Sequence, residues 1–541
     1  MRARTLPLFL TTLLATTAAP AGVPFPTDPD WSSSDVSSVS TGAALVDLNR
    51  DGWLDLVVAN GNDIARQPLV VYHNRGDGTF PTAPTWATSA NEYHGHLSVG
   101  DVNQDGWPDV AVSVFLGAGG FGDPGHAALY LNDGNGNLPP TPSWISADTY
   151  YSFGLALGDA DSDGDLDLAV AVGEPYFDPP GANRLYYNLG GALSTTPGWI
   201  SLENEHNLGV AFGDADNDGD LDVAFAGTDA PHRVYYQTSL GIASSSSWQS
   251  LGNGPITVRL AFGDLDRDGD SELVVAENNQ IHSGDGRLRV YAGRSTGLSP
   301  IPYWSSDYSG YGSEATLGDA NGDGWLDLLG GSWGQSGYYA SPIRIFPNRY
   351  DAPLDVDPGW VSSTGSVIER IVLGDVNNDG LHEATAEFVG DGLRQLFWLP
   401  RVPFREVTRV VADGVELAPA DYCSDPASGW VSLGAAPAFE IVIDYTYSTR
   451  LDMAVANWDG DLGNFLFYST APPVLYADVG QTGTELRLFW SGGTAPFDVL
   501  ESTNPSFGPG LEVKAKGLMV PEWEDEPGTL DDGTLSFYLV Y

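Results

Sequence analysis

Residues 210–227 read VAFGDADNDGDLDVAFAG, and the fold follows from this stretch. A short apolar run enters an acidic segment and a second apolar run leaves it. Short runs rich in Val, Phe and Ala, bounded by Gly, Asp and Asn, read as strands, and no helical period competes with them. The unit is therefore strand, acidic loop, strand. The loop fits the pattern D-x-[DN]-x-D-G-x-x-[DE], which begins seven times, at Asp47, Asp101, Asp159, Asp214, Asp264, Asp319 and Asp375. A Trp stands 15 or 16 positions ahead of every copy, at Trp31, Trp86, Trp144, Trp199, Trp248, Trp304 and Trp360. A fixed period of this length marks a repeat architecture.

Each repeat continues into a third strand, as in HRVYYQ (232–237), and a Pro-rich turn leads to a fourth at the Trp, as in PTPSWI (140–145). Four short strands per repeat make a small antiparallel sheet, and such sheets set around an axis form a propeller, which closes on itself and leaves no open edge. The expected fold is all-β, a seven-bladed propeller over residues 31–400. Residues 401–471 contain Trp430, FEIVIDY (439–445), LDMAVAN (451–457) and NFLFYS (464–469), with Asp444 and Asp452 at the spacing of the first and ninth loop positions. This segment reads either as a degenerate eighth blade or as a β-rich insertion. Residues 472–541 lack the acidic loop and carry alternating strands such as ELRLFW (485–490) and FDVLES (497–502), which points to a small β-sandwich.

The loop chemistry is that of a hard divalent cation. Such an ion takes six to eight oxygens, and alternate residues of a short loop can deliver them. Positions 1, 3, 5 and 9 supply side-chain oxygens, position 7 supplies a carbonyl, and glycine at position 6 permits the turn between them. The ligand set is Asp47, Asn49, Asp51 and Asp55; Asp101, Asn103, Asp105 and Asp109; Asp159, Asp161, Asp163 and Asp167; Asp214, Asp216, Asp218 and Asp222; Asp264, Asp266, Asp268 and Glu272; Asp319, Asn321, Asp323 and Asp327; Asp375, Asn377, Asp379 and Glu383. Calcium fits better than magnesium or manganese, which are smaller and stricter about geometry, and the expected load is about seven Ca2+ per chain. About half of the net charge of −49 lies on these ligands. Trp53, Trp107 and Trp325 occupy position 7, where only the carbonyl serves a metal, so their rings are expected to pack between neighbouring loops.

The same charge excludes nucleic acid and anionic membrane surfaces, which require clustered Lys and Arg. Arg2, Arg4, an apolar run from Leu6 to Leu14 and small residues to Ala21 read as a signal peptide over 1–21, so the chain is expected to be secreted, extracellular or periplasmic. No other stretch is long and apolar enough to span a membrane. Cys423 is the sole cysteine, which rules out disulfides within the chain and reads as an inert small side chain. Bound cations would then do the stapling.

With VGD, FGD or LGD before the loops and LDLVVAN or LDLAVAV after them, the repeats resemble FG-GAP or VCBS-type repeats, the blades of integrin α-subunit propellers and of many exported bacterial proteins. The resemblance implies that the calcium loops lie on the lower face and that ligands meet the upper one. It also implies an adhesion or interaction module for an extracellular protein or glycan. The upper-face segments are then N91-E-Y-H-G-H, D148-T-Y-Y, E203-N-E-H, E174-P-Y-F, E277-N-N-Q-I-H and W333-G-Q-S-G-Y-Y, and the ligand-binding candidates are Tyr93, His94, Tyr151, Tyr176, His206, Trp333 and Tyr339. Aromatics beside carboxylates and amides suit a sugar or peptide. Glu92, His94 and His96 form an alternative zinc constellation. A lyase or hydrolase built on the propeller, or a structural scaffold, are the competing functions; no catalytic acid–base pair separates from the loops. W490-S-G-G, FDVLES and the closing LDDGTLSFYLV resemble fibronectin type III or immunoglobulin-like modules.

Overall fold

The computed structural model describes residues 23–35, 37–173, 180–281, 284–335, 340–348, 354–458 and 462–470, and five strands beyond residue 486. The chain divides into two compact units, Val23–Ala471 and a second comprising Met1–Gly22 with Pro472–Tyr541. In the second, Arg487–Phe489 pairs with Glu522–Glu524, while Phe497–Ser502 lies between Glu512–Leu518 and Phe537–Val540, all antiparallel. These two small sheets occupy the stretch read as a sandwich. The expected signal peptide lies outside the described residues.

The first unit is a propeller. Blade 1 is a meander of Ser40–Val46, Asp55–Asn60, Val70–Tyr72 and Trp86–Ala87. Five further blades repeat it on the inner strands Tyr93–Gly100, Leu155–Gly158, His206–Gly213, Ile256–Gly263 and Gly312–Gly318. The seventh begins on Ile368–Gly374, continues through Asp452–Asn457 and Phe465–Phe467, and takes its outer strand, Trp31–Ser32, from the start of the chain. Each inner strand touches the next, and Ile368–Gly374 touches Ser40–Val46, so the ring of seven closes. Closure by strand pairing of distant segments stands where a disulfide would otherwise serve.

Residues 401–471 are not a blade of their own. LDMAVAN and NFLFYS are the second and third strands of blade 7, whereas Trp430 and FEIVIDY belong to an inserted module that begins at Leu381. There Glu440–Ser448 lies between Leu381–Val389 and Phe404–Ala412, with Leu396–Trp398, Trp430–Leu433 and Tyr422–Asp425 forming a second sheet. The burial pattern gives the physical reason. Every residue of Asp452–Asn457 is buried, as in the second strand of other blades, while Leu381–Val389 alternates between exposed and half-buried positions.

The periodic Trp is an inter-blade contact. Trp31, Trp144, Trp199, Trp248, Trp304 and Trp360 each meet an aromatic on the third strand of the next blade edge-on: Tyr72, Tyr186, Tyr235, Tyr291, Phe346 and Phe467, with ring centroids 5.1 to 6.0 Å apart. Edge-to-face pairs add roughly 0.5–1.5 kcal/mol each beyond burial of their area. The glycine before six of the seven loops, all but the first, has a similar role. A Cβ on Gly213 would stand 2.2 Å from the Phe262 ring of the next blade, so only glycine lets the inner strands approach.

Candidate metal loops and the opposite face

The seven loops fold alike because the first and ninth carboxylates organise the backbone. Oδ2 of the first Asp accepts the N–H of the glycine at position 6 in all seven, from 2.7 Å for Asp101 and Gly106 to 3.1 Å for Asp159 and Gly164. Position 4 adopts a left-handed conformation: Arg50, Gln104, Ser162, Asn217, Arg267 and Asn378 have φ between 52° and 61°, and Gly322 takes the place in the sixth loop. Six non-glycine residues there cost roughly 1–2 kcal/mol each, so the surroundings hold the turn in place.

The ninth carboxylate ties the loop to its own blade. One oxygen accepts an N–H just beyond the third strand: Asn74 for Asp55, Asn132 for Asp109, Asn188 for Asp167, Gln237 for Asp222, Gly293 for Glu272 and Asn348 for Asp327. In Asp109, Asp167, Asp222 and Glu272 the other accepts the N–H of position 2, as from Val102 to Asp109 at 3.0 Å and Leu265 to Glu272 at 2.8 Å. In the seventh loop Asp452 makes both bonds, with Ser469 and Val376, at 2.8 and 2.9 Å. Glu383, read as the ninth ligand, lies exposed on Leu381–Val389 opposite Thr446. The correction follows from the insertion: Gly380 is position 6, Leu451 is position 8, and residues 381–450 stand where other loops have one residue.

Sequence reading missed the asparagines that link neighbouring loops. Asn74, Asn132, Asn188 and Asn348 each donate Nδ2 to the position 2 carbonyl of the preceding blade's loop: Val376, Leu48, Val102 and Leu265. Their recurrence after an aromatic third strand, as in VYHN and LYYN, was the available signal. Two of the position 7 indoles, Trp107 and Trp325, pack against a neighbouring loop. Arg50 of the first loop lies over Trp107 of the second at 5.4 Å, and Arg267 of the fifth over Trp325 of the sixth at 4.4 Å.

These loops have the donor set of a cation site. Oxygens of Asp159, Asp161 and Asp167 converge within 4.8 Å of one another, as do those of Asp214, Asp216 and Asp218, and of Asp264, Asp266 and Glu272. Burial first, and then neighbouring carboxylates, push Asp161 and Asp216 up to about 6, Asp159 and Asp214 to about 7, and Asp220 and Glu272 to about 8. Buried oxygens that close need a proton or a cation between them, and all-oxygen donors suit a hard divalent ion.

The FG-GAP-like repeat family matches residues 47–112, 114–170, 216–275 and 264–330. This chain carries FG-GAP-like repeats over those residues. It is 29% identical to human (Homo sapiens) integrin alpha-6 over 191 residues, which cover 33% of this chain and 16% of that protein. It is 36% identical to mouse (Mus musculus) integrin alpha-3 over 86 residues, 14% of this chain and 8% of the relative. The matches thus span less than a fifth of these relatives' length. Among solved structures, the periplasmic gluconolactonase of Pseudomonas aeruginosa aligns with a TM-score of 0.40 at 13% identity, covering 77% of this chain and 96% of that one.

On the face opposite the FG-GAP loops, the structure redistributes the candidates. His94 is fully buried, with Nδ1 3.0 Å from the Asn60 carbonyl and Nε2 3.8 Å from Glu92, and burial lowers its pKa. Trp333 is also buried, edge-on to Trp458, in a cluster with Phe115, Phe153, Leu208 and Val258; Tyr93 and Tyr151 pack half-buried against it. His206 is half-buried opposite Thr228. Tyr176 and Tyr339 lie outside the described residues. His94 and Trp333 therefore stop the upper end of the ring rather than face solvent, because the segment leading into each inner strand turns inward. Glu92, His94 and His96 are not among the converging ligand groups of the described residues.

What the upper face does present is a band of ion pairs. The third strands of blades 3, 4 and 5 carry Arg184, Arg233 and Arg289, which pair with Asp148 at 3.0 Å and with Glu205 and Glu277 at 2.7 Å. Tyr235 donates to Glu203 at 2.9 Å. The carboxylates quoted from D148-T-Y-Y, E203-N-E-H and E277-N-N-Q-I-H are thus fixed by arginines that sequence reading passed over.

Proposed function

We propose that this chain is an exported, calcium-loaded adhesion or interaction propeller that holds a protein or glycan on its upper face. The converging carboxylates of the loops support the calcium part of this reading. With each site about tenfold above its dissociation constant, linkage adds roughly 1.4 kcal/mol per ion, on the order of 10 kcal/mol for seven. The integrin alpha relatives support the adhesion part, and the segment from Arg2 to Ala21 supports export.

The observation that carries the ligand part is the band of Arg184–Asp148, Arg233–Glu205 and Arg289–Glu277 pairs, together with half-buried Tyr151 on the aromatic cluster of Phe115 and Trp333. Paired and partly desolvated charges lose little order on binding, and aromatic neighbours give an apolar face on which a sugar ring or peptide can stack. The test is binding of the calcium-loaded protein to a glycan array and to immobilised extracellular-matrix proteins, with a chelator control. Arg233→Ala and Tyr151→Ala should each weaken binding at least tenfold with calcium content unchanged. Wild-type binding by both variants would refute the upper-face assignment.

A further inference from the structure

A second site lies inside the ring. The inner strands face the axis with small residues three positions before each loop: Ala44, Ser98, Ala156, Ala211, Ala261, Thr316 and Val372, all on the wall of a central cavity of about 780 Å³. Such a volume is typical of a small-molecule site. The upper end is stopped by the Phe153 and Trp333 cluster. At the loop face the walls run out to exposed residues, Arg50 of the first loop and Glu406 and Pro419 of the insert, which frame a mouth.

At its closed end the cavity is cationic. Arg259 and Arg370 both line it and share one partner, the fully buried Glu314: Arg370 Nη1 lies 3.0 Å from Oε1, and Arg259 Nε 3.5 Å from Oε2. Glu314 also accepts from the Thr316 hydroxyl at 2.8 Å. Beyond its long ion pair, Arg259 Nε and Nη2 are buried without a hydrogen-bond acceptor among the described residues. Burial drives the Glu369 carboxyl well above the usual carboxylate range, and burial together with both arginines holds His96 well below its ordinary value. Asp425 reaches the cavity from the insert, where its carboxylate is oriented by the Ala427 and Ser428 amides, which donate to it at 2.9 and 3.2 Å.

A buried guanidinium with unmade hydrogen bonds is costly, and its planar fork matches a carboxylate. We infer that the central cavity binds a small organic monocarboxylate, its head group on Arg259 and its apolar body along the alanine-lined wall. Two guanidiniums share the single carboxylate of Glu314, so a carboxylate head group is the fork-matched partner for the second. The site is independent of the upper-face reading, since it opens on the opposite side.

Titration calorimetry of the calcium-loaded protein with octanoate, and with octanol as its neutral counterpart, tests the assignment. Octanoate should bind once per chain and at least tenfold more tightly than octanol, and Arg259→Gln should reduce it to the level of octanol without changing calcium content. Ala261→Phe, which keeps the arginine and fills the channel, should weaken both ligands at least tenfold and provides the test should Arg259→Gln fail to fold. Absence of saturable octanoate binding, equal affinity for octanol, or unchanged octanoate affinity in either folded variant would overturn the inference.

Discussion

Oδ2 of Asp452 accepts the amide hydrogen of Val376 at 2.9 Å, across the whole inserted module. This is the bond that Asp109 makes with Val102 in the second loop, so Asp452 completes the seventh loop although it follows the first position by 77 residues rather than eight. Asp452→Asn should remove one bound calcium and lower stability by about 1–3 kcal/mol, as expected when a buried hydrogen-bonded group loses its charge. Glu383→Gln should change neither beyond about 0.5 kcal/mol, because Glu383 is exposed. Metal analysis and denaturant unfolding of the two variants decide between the positions.

The loops and the ring were legible in the sequence because their constraints are local. Position 1 must meet the glycine amide at position 6 and Trp must precede each loop by a fixed distance, so spacing alone betrayed both. The seventh loop misled because HEATAEF follows Gly380 with a carboxylate at the ninth place. The telling difference was alternation of polar and apolar residues, where real second strands such as DLVVAN are continuously apolar. The upper face was illegible for another reason. Whether His94 or Trp333 meets solvent depends on how seven separate segments converge over the axis, and no single segment encodes that.

Protonation gives the apo loops a distinctive pH dependence. In the metal-free fold burial and mutual repulsion raise Asp159 and Asp214 to about 7 and Asp161 and Asp216 to about 6, whereas in the unfolded chain they titrate near 3.8. The folded form therefore binds more protons over this window. Their contribution is intact below about pH 4 and is lost as pH rises through 6 to 7. In chelator the melting temperature should fall between pH 5 and 8, while with calcium it should change little, so that the gap widens with pH. A gap independent of pH over that range would contradict the loop electrostatics.

The inter-blade Trp contacts predict a graded series. Trp304 is buried, edge-on to Phe346 at 5.4 Å, and donates its indole N–H to the Leu354 carbonyl at 2.7 Å. Trp304→Ala should cost about 3–5 kcal/mol, the range for removing a buried large aromatic. Trp304→Phe keeps a ring but leaves the carbonyl without its donor, and should cost about 1–3 kcal/mol. Equal losses in the two variants, measured by denaturant unfolding, would show that the hydrogen bond rather than the ring holds the blades together.

The insert rests on the loops through polar contacts. Ser432 donates to Oδ2 of Asp159 at 2.6 Å and Ser448 to Oδ2 of Asp375 at 2.7 Å; Arg450 lies 2.9 Å from Asp379, and Arg405 donates to the Gly52 carbonyl at 2.6 Å. Yet none of its strands joins a blade sheet. Since residues 381–450 occupy one position of the seventh loop, replacing them with a single Trp, as at position 7 of the first loop, recreates the sequence GWLD between Gly380 and Asp452. The shortened chain should fold with near-native β circular dichroism and an unchanged calcium count. Its melting temperature should fall by several degrees, because these polar contacts, each worth roughly 0.5–3 kcal/mol, are lost together with the packing of Leu396, Cys423 and Trp430 in the cluster that holds Leu166 and Leu221. Failure of the shortened chain to fold would mean that the module is a structural part of the ring rather than a passenger on its lower face.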